Sequence, residues 1–243
     1  MSRSVDLCAA RGPREERSEF DAIRRKVLPE TRPTGRKLAL FLLGSPASGK
    51  TSVKGLWLEA LGKGADFVDI SPDDIMAELP RYQALVAAGD VGAAAKCHTR
   101  AYRITSDLIK GATAGGYDLL LERTGQDAYW TVKDMEKLVA QGYSIHICIV
   151  VADLEKTLER EPVRAAATGR HINAGTMAGI HKKLQESISV YRGLPFLKSF
   201  TVYDNNGDQP VVVEQKGGRK RSLRGRRGSM KKIRKFRTRK LHK

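Results

Sequence analysis

Residues 37–51 read KLALFLLGSPASGKT, and this stretch decides the fold. Residues 37–43 form a continuous apolar run, which is typical of a strand buried on both faces of a parallel sheet. The run leads into Gly44 and the pattern G-x-x-x-x-G-K-[ST], whose glycines permit backbone conformations that side chains would block. Such a loop aims successive N–H groups inward beside a helix N-terminus, so it predicts a phosphate-binding loop.

The loop predicts binding of ATP together with Mg²⁺. Lys50 would reach the β- and γ-phosphates, and the Thr51 hydroxyl would ligate the magnesium ion. A glycine-rich turn that binds nothing is the alternative, but the motif follows an apolar strand and opens a helix, which favours phosphate binding. The predicted ATP-binding residues are Gly44, Ser45, Pro46, Ala47, Ser48, Gly49, Lys50, Thr51 and Ser52.

Strand and helix patterns alternate along the rest of the chain. This alternation predicts an α/β fold of the P-loop NTPase type, with an open, doubly wound parallel sheet flanked by helices. The predicted strands cover residues 37–43, 67–70, 118–121, 145–151, 200–203 and 211–213, and the predicted helices cover residues 51–61, 90–114, 127–140, 153–167 and 174–191.

The positive charge is concentrated at one end of the sequence. The 243 residues carry 44 Lys or Arg against 27 Asp or Glu, a net charge of +17. Residues 216–243 hold 15 of these basic side chains and no acidic one, so the rest of the chain is nearly balanced. Because the segment has too few apolar residues to bury a core, we predict a disordered basic tail.

The sequence divides into three parts. We predict a partly disordered leader over residues 1–35 with one short helix at residues 18–27, an α/β domain over residues 36–215, and the tail over residues 216–243. The charge of residues 217–243 suits non-specific contact with nucleic-acid phosphates. A nuclear localisation signal and a merely solubilising segment are the alternatives.

Hydropathy and cysteine content bear on the compartment. No apolar run reaches the roughly 18 residues that a membrane span needs, so no membrane partner is expected. The N-terminus lacks the apolar segment of a secretory signal, and we expect a cytoplasmic protein, or a nuclear one if the tail is a localisation signal. The three cysteines lack metal-ligand spacing, and their odd number argues against a disulfide framework.

Carboxylates follow two of the predicted strands. Asp73 comes after the second strand and Glu122 after the third, where a parallel sheet collects ligands at its carboxyl edge. A kinase for an alcohol needs a base for the hydroxyl proton and an acidic group for magnesium, and these two residues are the candidates. A helix N-cap or first-turn acid after Pro72 is the alternative for Asp73, a role that Asp74 fits equally well, and a plain surface acid is the alternative for Glu122.

Three arginines follow the fourth strand in the segment LEREPVRAAATGRH, which covers residues 158–171. Arg160, Arg164 and Arg170 could close over a transferring phosphoryl group, since guanidinium groups supply the positive charge that small P-loop kinases need there. An exposed, charged helix end is the alternative for each.

Together these motifs resemble the zeta toxin family of P-loop kinases. The shared features are the phosphate-binding loop, P-D-D-I…L-P-x-Y at residues 72–82, E-x-T-G at residues 122–125, and E-R…T-G-R around Arg160 and Arg170. The resemblance covers residues 38–206. It implies a kinase that uses ATP to phosphorylate a hydroxyl of a nucleotide sugar, which is UDP-N-acetylglucosamine in the bacterial toxins.

The resemblance also assigns roles to residues. Lys50 would bind phosphate, Asp73 would be the base, Arg160 and Arg170 would stabilise the transition state, and Glu122 would lie near the metal. These give the catalytic set Lys50, Asp73, Arg160 and Arg170 and the metal ligands Thr51 and Glu122.

Departures from the family pattern fall on the acceptor side. Arg123 stands where the family usually has a glycine, and Gln126 stands where the bacterial toxins carry an arginine. The toxins also have an acidic residue on the long helix near Ser106. Thr124, Ser106 and Gln126 are the predicted acceptor-binding residues, for a small-molecule acceptor.

Two other functions remain open at this stage. One is a kinase for nucleosides or polynucleotide ends, with the tail holding the polymer. The other is a non-catalytic nucleotide-binding protein whose tail binds nucleic acid. The presence of Asp73 together with Arg160 and Arg170 favours catalysis.

Overall fold

The computed structural model describes residue 8, residues 12–28, residue 33, residues 35–61 and residues 67–217. A six-stranded sheet in the order β2-β3-β1-β4-β5-β6 forms its centre. The strands are β1 (Leu38–Gly44), β2 (Phe67–Ile70), β3 (Asp118–Arg123), β4 (Ser144–Val151), β5 (Leu197–Asp204) and β6 (Val211–Gly217). The predicted α/β fold is therefore confirmed, with the phosphate-binding loop at the end of a central strand.

Helices cover both faces of the sheet. They are α1 (Pro13–Val27), α2 (Lys50–Leu61), α3 (Pro72–Ala77), α4 (Pro80–Ala87), α5 (Ala93–Ala114), α6 (Ala128–Ala140), α7 (Leu154–Thr168) and α8 (Ala174–Arg192). Alternate residues of β1 enter two cores, as expected for a strand buried on both faces. Phe41 packs in the larger core with residues of α5, α6 and α8, whereas Leu42 packs with Trp57 of α2.

Two details of the predicted topology were wrong. The last strand, β6, pairs antiparallel with β5, so the sheet is mostly rather than wholly parallel. The short helices α3 and α4 were not predicted, because six and eight residues give too little periodicity to recognise. The predicted disordered tail began at residue 216, but Lys216 and Gly217 belong to β6. The rest of that segment, residues 218–243, lies outside the described residues.

The N-terminal helix α1 packs against the domain. It begins earlier than the helix predicted at residues 18–27, and Ile23 is buried in the larger core. Arg100 of α5 has a side chain only 4% exposed, and it forms ion pairs with Glu16 and Glu19 of α1. These contacts fasten α1 to α5, because a buried guanidinium is stable only when it is paired.

The expectation about the cysteines was wrong for one pair. Cys8 and Cys97 form a disulfide that links the N-terminal segment to α5, with the two Cα atoms 4.8 Å apart. Cys148 is a buried free thiol in β4. The odd number of cysteines was a poor guide, since one residue can remain unpaired inside the sheet. In the described part of the chain, no helix is long and apolar enough to cross a membrane.

Replacing the central residue of the α1–α5 contact tests how strongly α1 is held. We expect Arg100→Ala to lower the free energy of unfolding by about 3 kcal/mol, because it removes the partner of two carboxylates. Urea unfolding followed by circular dichroism measures this free energy of unfolding. Lys110→Ala on the same helix is the control, since its exposed ion pair with Asp107 contributes about 0.5 kcal/mol or less. Equal stability of the two variants would show that α1 is only loosely attached.

Candidate active site

The loop between β1 and α2 is shaped by two glycines. Gly49 has φ +88°, and a Cβ there would collide with the side-chain amide of Asn205. A Cβ at Gly44 would lie 2.7 Å from Ser48 Oγ and 2.9 Å from Val150 O. No larger residue fits either position, so the backbone can close tightly around a ligand as the sequence pattern predicts.

Asn205 fixes this loop from the end of β5, a role that the sequence did not reveal. Its Nδ2 donates to Ser48 O at 2.8 Å, and its backbone N donates to Val151 O at 2.8 Å. Its carbonyl accepts a hydrogen bond of 2.9 Å from Arg160 Nη2. Asn205 therefore joins the loop, β4 and α7. The only sequence signal for this role was its position directly after a predicted strand, at the carboxyl edge of the sheet.

Lys50 lies at the start of α2 with its ammonium turned back into the loop. Nζ donates to Gly44 O at 2.8 Å and to Ser45 O at 3.3 Å. Burial lowers the pKa of Lys50, and the negative charges of Glu122 and Asp73 oppose that shift. The charges of Arg164 and Arg170 also act on this ammonium. The charged groups that the sequence singled out thus converge on the phosphate-binding loop.

Glu122 and Arg123 leave the end of β3 toward opposite faces of the sheet. Glu122 faces α2, where its Oε1 pairs with Lys54 Nζ at 2.9 Å, and Lys54 also pairs with Asp69. Thr51 is exposed on the first turn of α2. No group of three His, Cys, Asp or Glu ligands occurs among the described residues. Thr51 and Glu122 still suit Mg²⁺, which needs only one or two protein ligands beside phosphates and water.

Asp73 is held by two of the three predicted arginines. It lies in the first turn of α3, and Ser71 rather than an aspartate is the N-cap of that helix, accepting from Asp74 N at 3.4 Å. Asp73 Oδ2 is 3.1 Å from Arg164 Nη2 and 3.2 Å from Arg170 Nη1. The third arginine, Arg160, is bound instead to the carbonyl of Asn205. Asp73 is therefore not the N-cap; it is a first-turn acid of α3, as the alternative expected, and it also pairs with two arginines.

Two contacts fix the segment that carries Arg170. α7 ends at Gly169 with φ +69°, and a Cβ at that position would lie 2.7 Å from Val86 of α4. Tyr82 of α4 donates a hydrogen bond of 3.3 Å to Thr168 O. The L-P-x-Y part of the sequence motif, in which Tyr82 is the last residue, therefore acts by packing the end of α7 against α4.

Glu161 secures the far side of the same segment. Its carboxylate is buried, accepts from Ile172 N at 2.8 Å and lies 3.0 Å from His171 Nδ1. Because Glu161 belongs to α7, it ties the chain just after Arg170 back to the helix that carries Arg164. No sequence pattern singles out Glu161, which resembles the other acidic residues of a charged helix.

Several buried polar atoms at the site have no hydrogen-bond partner within the described part of the protein. They are Ser48 Oγ, Arg160 Nη1, Arg164 Nη1 and Arg170 Nε. Unpaired buried donors are costly, and three of these atoms belong to cations. Phosphate oxygens would satisfy Ser48 Oγ and the donors of Arg160 and Arg170, so the residues present fit a nucleoside triphosphate.

A cavity of about 440 Å³ adjoins the loop. It lies between Ser52 and Leu56 of α2, the side chain of Arg160, and residues 205–210 after β5. Its size and position next to the phosphate-binding loop suit the base and ribose of a nucleotide.

The predicted acceptor residues occupy two elements. Thr124 and Gln126 lie in the loop after β3, where Tyr191 of α8 donates to Gly125 O at 2.9 Å and Ser187 donates to Gln126 O at 3.2 Å. Ser106 is exposed on α5, one turn beyond Tyr102. Burial raises the pKa of Tyr102, and the charges of Arg123 and Asp73 also act on its phenol. α5 packs against α3, the helix that carries Asp73.

Arg123, the departure from the family pattern, is rigidly placed. Its Nη1 pairs with Asp134 of α6 at 2.8 Å, and its guanidinium lies 5.9 Å from the ring centroid of Phe41. The side chain thus occupies the α6 side of the end of β3, where a glycine would leave space.

The family follows from the whole length of the domain. The profile of the Zeta toxin family matches residues 21–216. This chain belongs to the Zeta toxin family. The resemblance seen in the motifs is thereby confirmed, and the chain is a kinase of the P-loop type. No curated protein sequence matches it.

Solved structures agree on the fold of this Zeta toxin family member. A structure of the PezAT chromosomal toxin–antitoxin system of Streptococcus pneumoniae is similar with a TM-score of 0.71 at 17% identity, covering 86% of this chain and 83% of that one. The AvrRxo1-ORF1:-ORF2 structure with ATP is similar with a TM-score of 0.61 at 16% identity, covering 82% of this chain and 65% of that one.

Asn205 offers a test of the loop geometry. We expect Asn205→Ala to weaken binding of a non-hydrolysable ATP analogue by about tenfold, because the loss of one buried hydrogen bond leaves Ser48 O unpaired and loosens the loop. Isothermal titration calorimetry measures the affinity, and a thermal melt checks that the variant is folded. Unchanged affinity in a folded variant would show that the glycines alone shape the loop.

Proposed function

We propose that this protein transfers the γ-phosphoryl group of ATP to a hydroxyl of a nucleotide sugar such as UDP-N-acetylglucosamine. The observation that carries the proposal is the meeting of Asp73, Arg164 and Arg170 beside the lysine of the phosphate-binding loop. These ion pairs also join elements of the fold, but they bring together the proton acceptor and the positive charges that phosphoryl transfer needs.

The residues divide the reaction between them. The acceptor oxygen attacks the γ-phosphorus, the bond to the β–γ bridging oxygen breaks, and Asp73 accepts the hydroxyl proton. Lys50, Arg160 and Arg170 stabilise the negative charge on the phosphoryl oxygens. Mg²⁺, when bound, neutralises further phosphate charge, and Thr51 and Glu122 are the residues that would hold it.

The acceptor lies on the α5 side of Asp73 in this proposal. Thr124 and Gln126 in the loop after β3, together with Ser106 on α5, contribute its hydrogen bonds. Arg123 also lies at the end of β3, where its charge is paired with Asp134.

A direct assay tests the reaction. The pure protein is incubated with γ-labelled ATP and a panel of nucleotide sugars, nucleosides, and RNA or DNA ends, with Lys50→Ala as the inactive control. Label transferred to a nucleotide sugar by the wild type alone supports the proposal. Transfer to none of these acceptors would refute it.

The base is tested by a matched pair of aspartates. We expect Asp73→Asn to lower turnover about 10²–10⁴-fold, the usual contribution of a positioned base, and Asp74→Asn to lower it far less. Asp74 is the control because its side chain is 72% exposed and its nearest arginine atom is 3.8 Å away. Steady-state kinetics at saturating ATP measures both. Equal losses would show that Asp73 has no special role.

A polynucleotide-end kinase is the second candidate, favoured by the basic tail. Gly217 pairs with Ser199 as the last residue of β6, so a truncated protein should end at Gly218. We expect this truncation to abolish salt-dependent nucleic-acid binding and to leave phosphorylation of a nucleotide sugar unchanged. Filter binding and turnover across a salt series measure both properties. If the acceptor is a polynucleotide end, its KM should instead rise sharply on truncation.

A further inference from the structure

We propose that Arg164 is a positioning residue that holds the Asp73 carboxylate, and that Arg170 is shared between Asp73 and the transferring phosphoryl group. This inference rests on the proposed phosphoryl transfer. It gives the two arginines different tasks, although both contact the same oxygen of Asp73 at nearly equal distances.

The two arginines lie in different parts of the fold. Arg164 lies inside α7, two residues after Pro162, and its guanidinium reaches Asp73 from that helix. Arg170 lies beyond the last residue of α7, in the connection that leads to α8. Tyr82 and Glu161 also hold this connection, but only Arg164 is placed by the helix itself, which makes it the better anchor.

The two arginines also differ in the carboxylates that they pair with. Two guanidinium groups contact the Asp73 carboxylate, and a second carboxylate, that of Asp74, is near only one of them. Burial lowers the pKa of Arg164, and Asp73 is the main group that opposes the shift. Arg164 thus depends on Asp73, whereas Arg170 also lies 3.8 Å from Asp74. A phosphate that draws Arg170 away leaves Asp73 still paired with Arg164.

The side chains of this cluster keep hydrogen-bonding capacity for a ligand. Arg170 Nε is buried with no partner among the described residues, and so is Arg164 Nη1. Asp73 itself is about half exposed, with 48% of its side chain accessible. The carboxylate therefore has an open side for an acceptor hydroxyl, while Arg164 fixes its orientation from the protein side.

A double-mutant cycle separates positioning from phosphate binding. We expect Arg164→Gln to lower kcat by about tenfold or more with the KM for ATP within about twofold of wild type, because only the base is misplaced. In the Asp73→Asn background the same substitution should cause no further loss. Arg160→Gln is the control, because Arg160 contacts Asn205 and not Asp73. The loss of kcat that Arg160→Gln causes should therefore remain in the Asp73→Asn background.

Two further variants complete the cycle. Arg170→Gln should raise the KM for ATP as well as lower kcat, and Arg164→Lys should recover part of the activity that Arg164→Gln loses. The proposal is overturned if Arg164→Gln and Asp73→Asn have additive effects, or if Arg164→Gln raises the KM for ATP as much as Arg170→Gln does.

A binding experiment keeps this inference distinguishable from the proposed function. Asp73→Asn should tighten binding of a non-hydrolysable ATP analogue several-fold in calorimetry, because Arg170 no longer has to leave a carboxylate, whereas Asp74→Asn should change it less. Tighter binding without transfer to any acceptor would mean that only the proposed function fails. Unchanged or weaker binding in a protein that does transfer phosphate would mean that only the shared role of Arg170 fails.

Discussion

The structure depends on one constraint at its centre: the chain must turn from a strand with no exposed face into a helix without room for side chains at Gly44 and Gly49. The turn is stable because Asn205 bonds to it from two strands away in the sheet. Every charged group of the site is then placed by an element that leaves the same edge of the sheet. The order of the strands therefore decides which side chains can meet at the loop.

Electrostatics at this edge follows from the need to keep buried charges paired. Lys54 lies between Asp69 and Glu122, and Asp73 lies between Arg164 and Arg170. Each ion cluster is formed by residues from different elements, so each also joins those elements. A ligand with several negative charges can be accepted because these arginines retain unused donors. The same side chains thus stabilise the fold and are also available to bind a ligand.

The sequence allowed most of the fold and the phosphate-binding loop to be predicted, because both depend on local patterns. All six strands of the described structure were predicted, since each is a short apolar run bounded by turn residues. The direction of β6 was not predictable, because an edge strand reads the same whether it runs parallel or antiparallel. The parts of the site that depend on long-range contacts, such as the bond from Asn205 to Ser48, left no pattern to recognise. Arg164 was noticed only as one of three arginines, and its pairing with Asp73 required coordinates.

The antiparallel direction of β6 sets the point from which the basic segment departs. β6 starts beside Asp204, near the phosphate-binding loop, and ends at Gly217 opposite Ser199. At about 3.3 Å per residue, five positions along β5 carry the chain roughly 17 Å toward the amino ends of the parallel strands. The most basic part of the sequence is thus attached at the opposite pole of the domain from the arginine cluster.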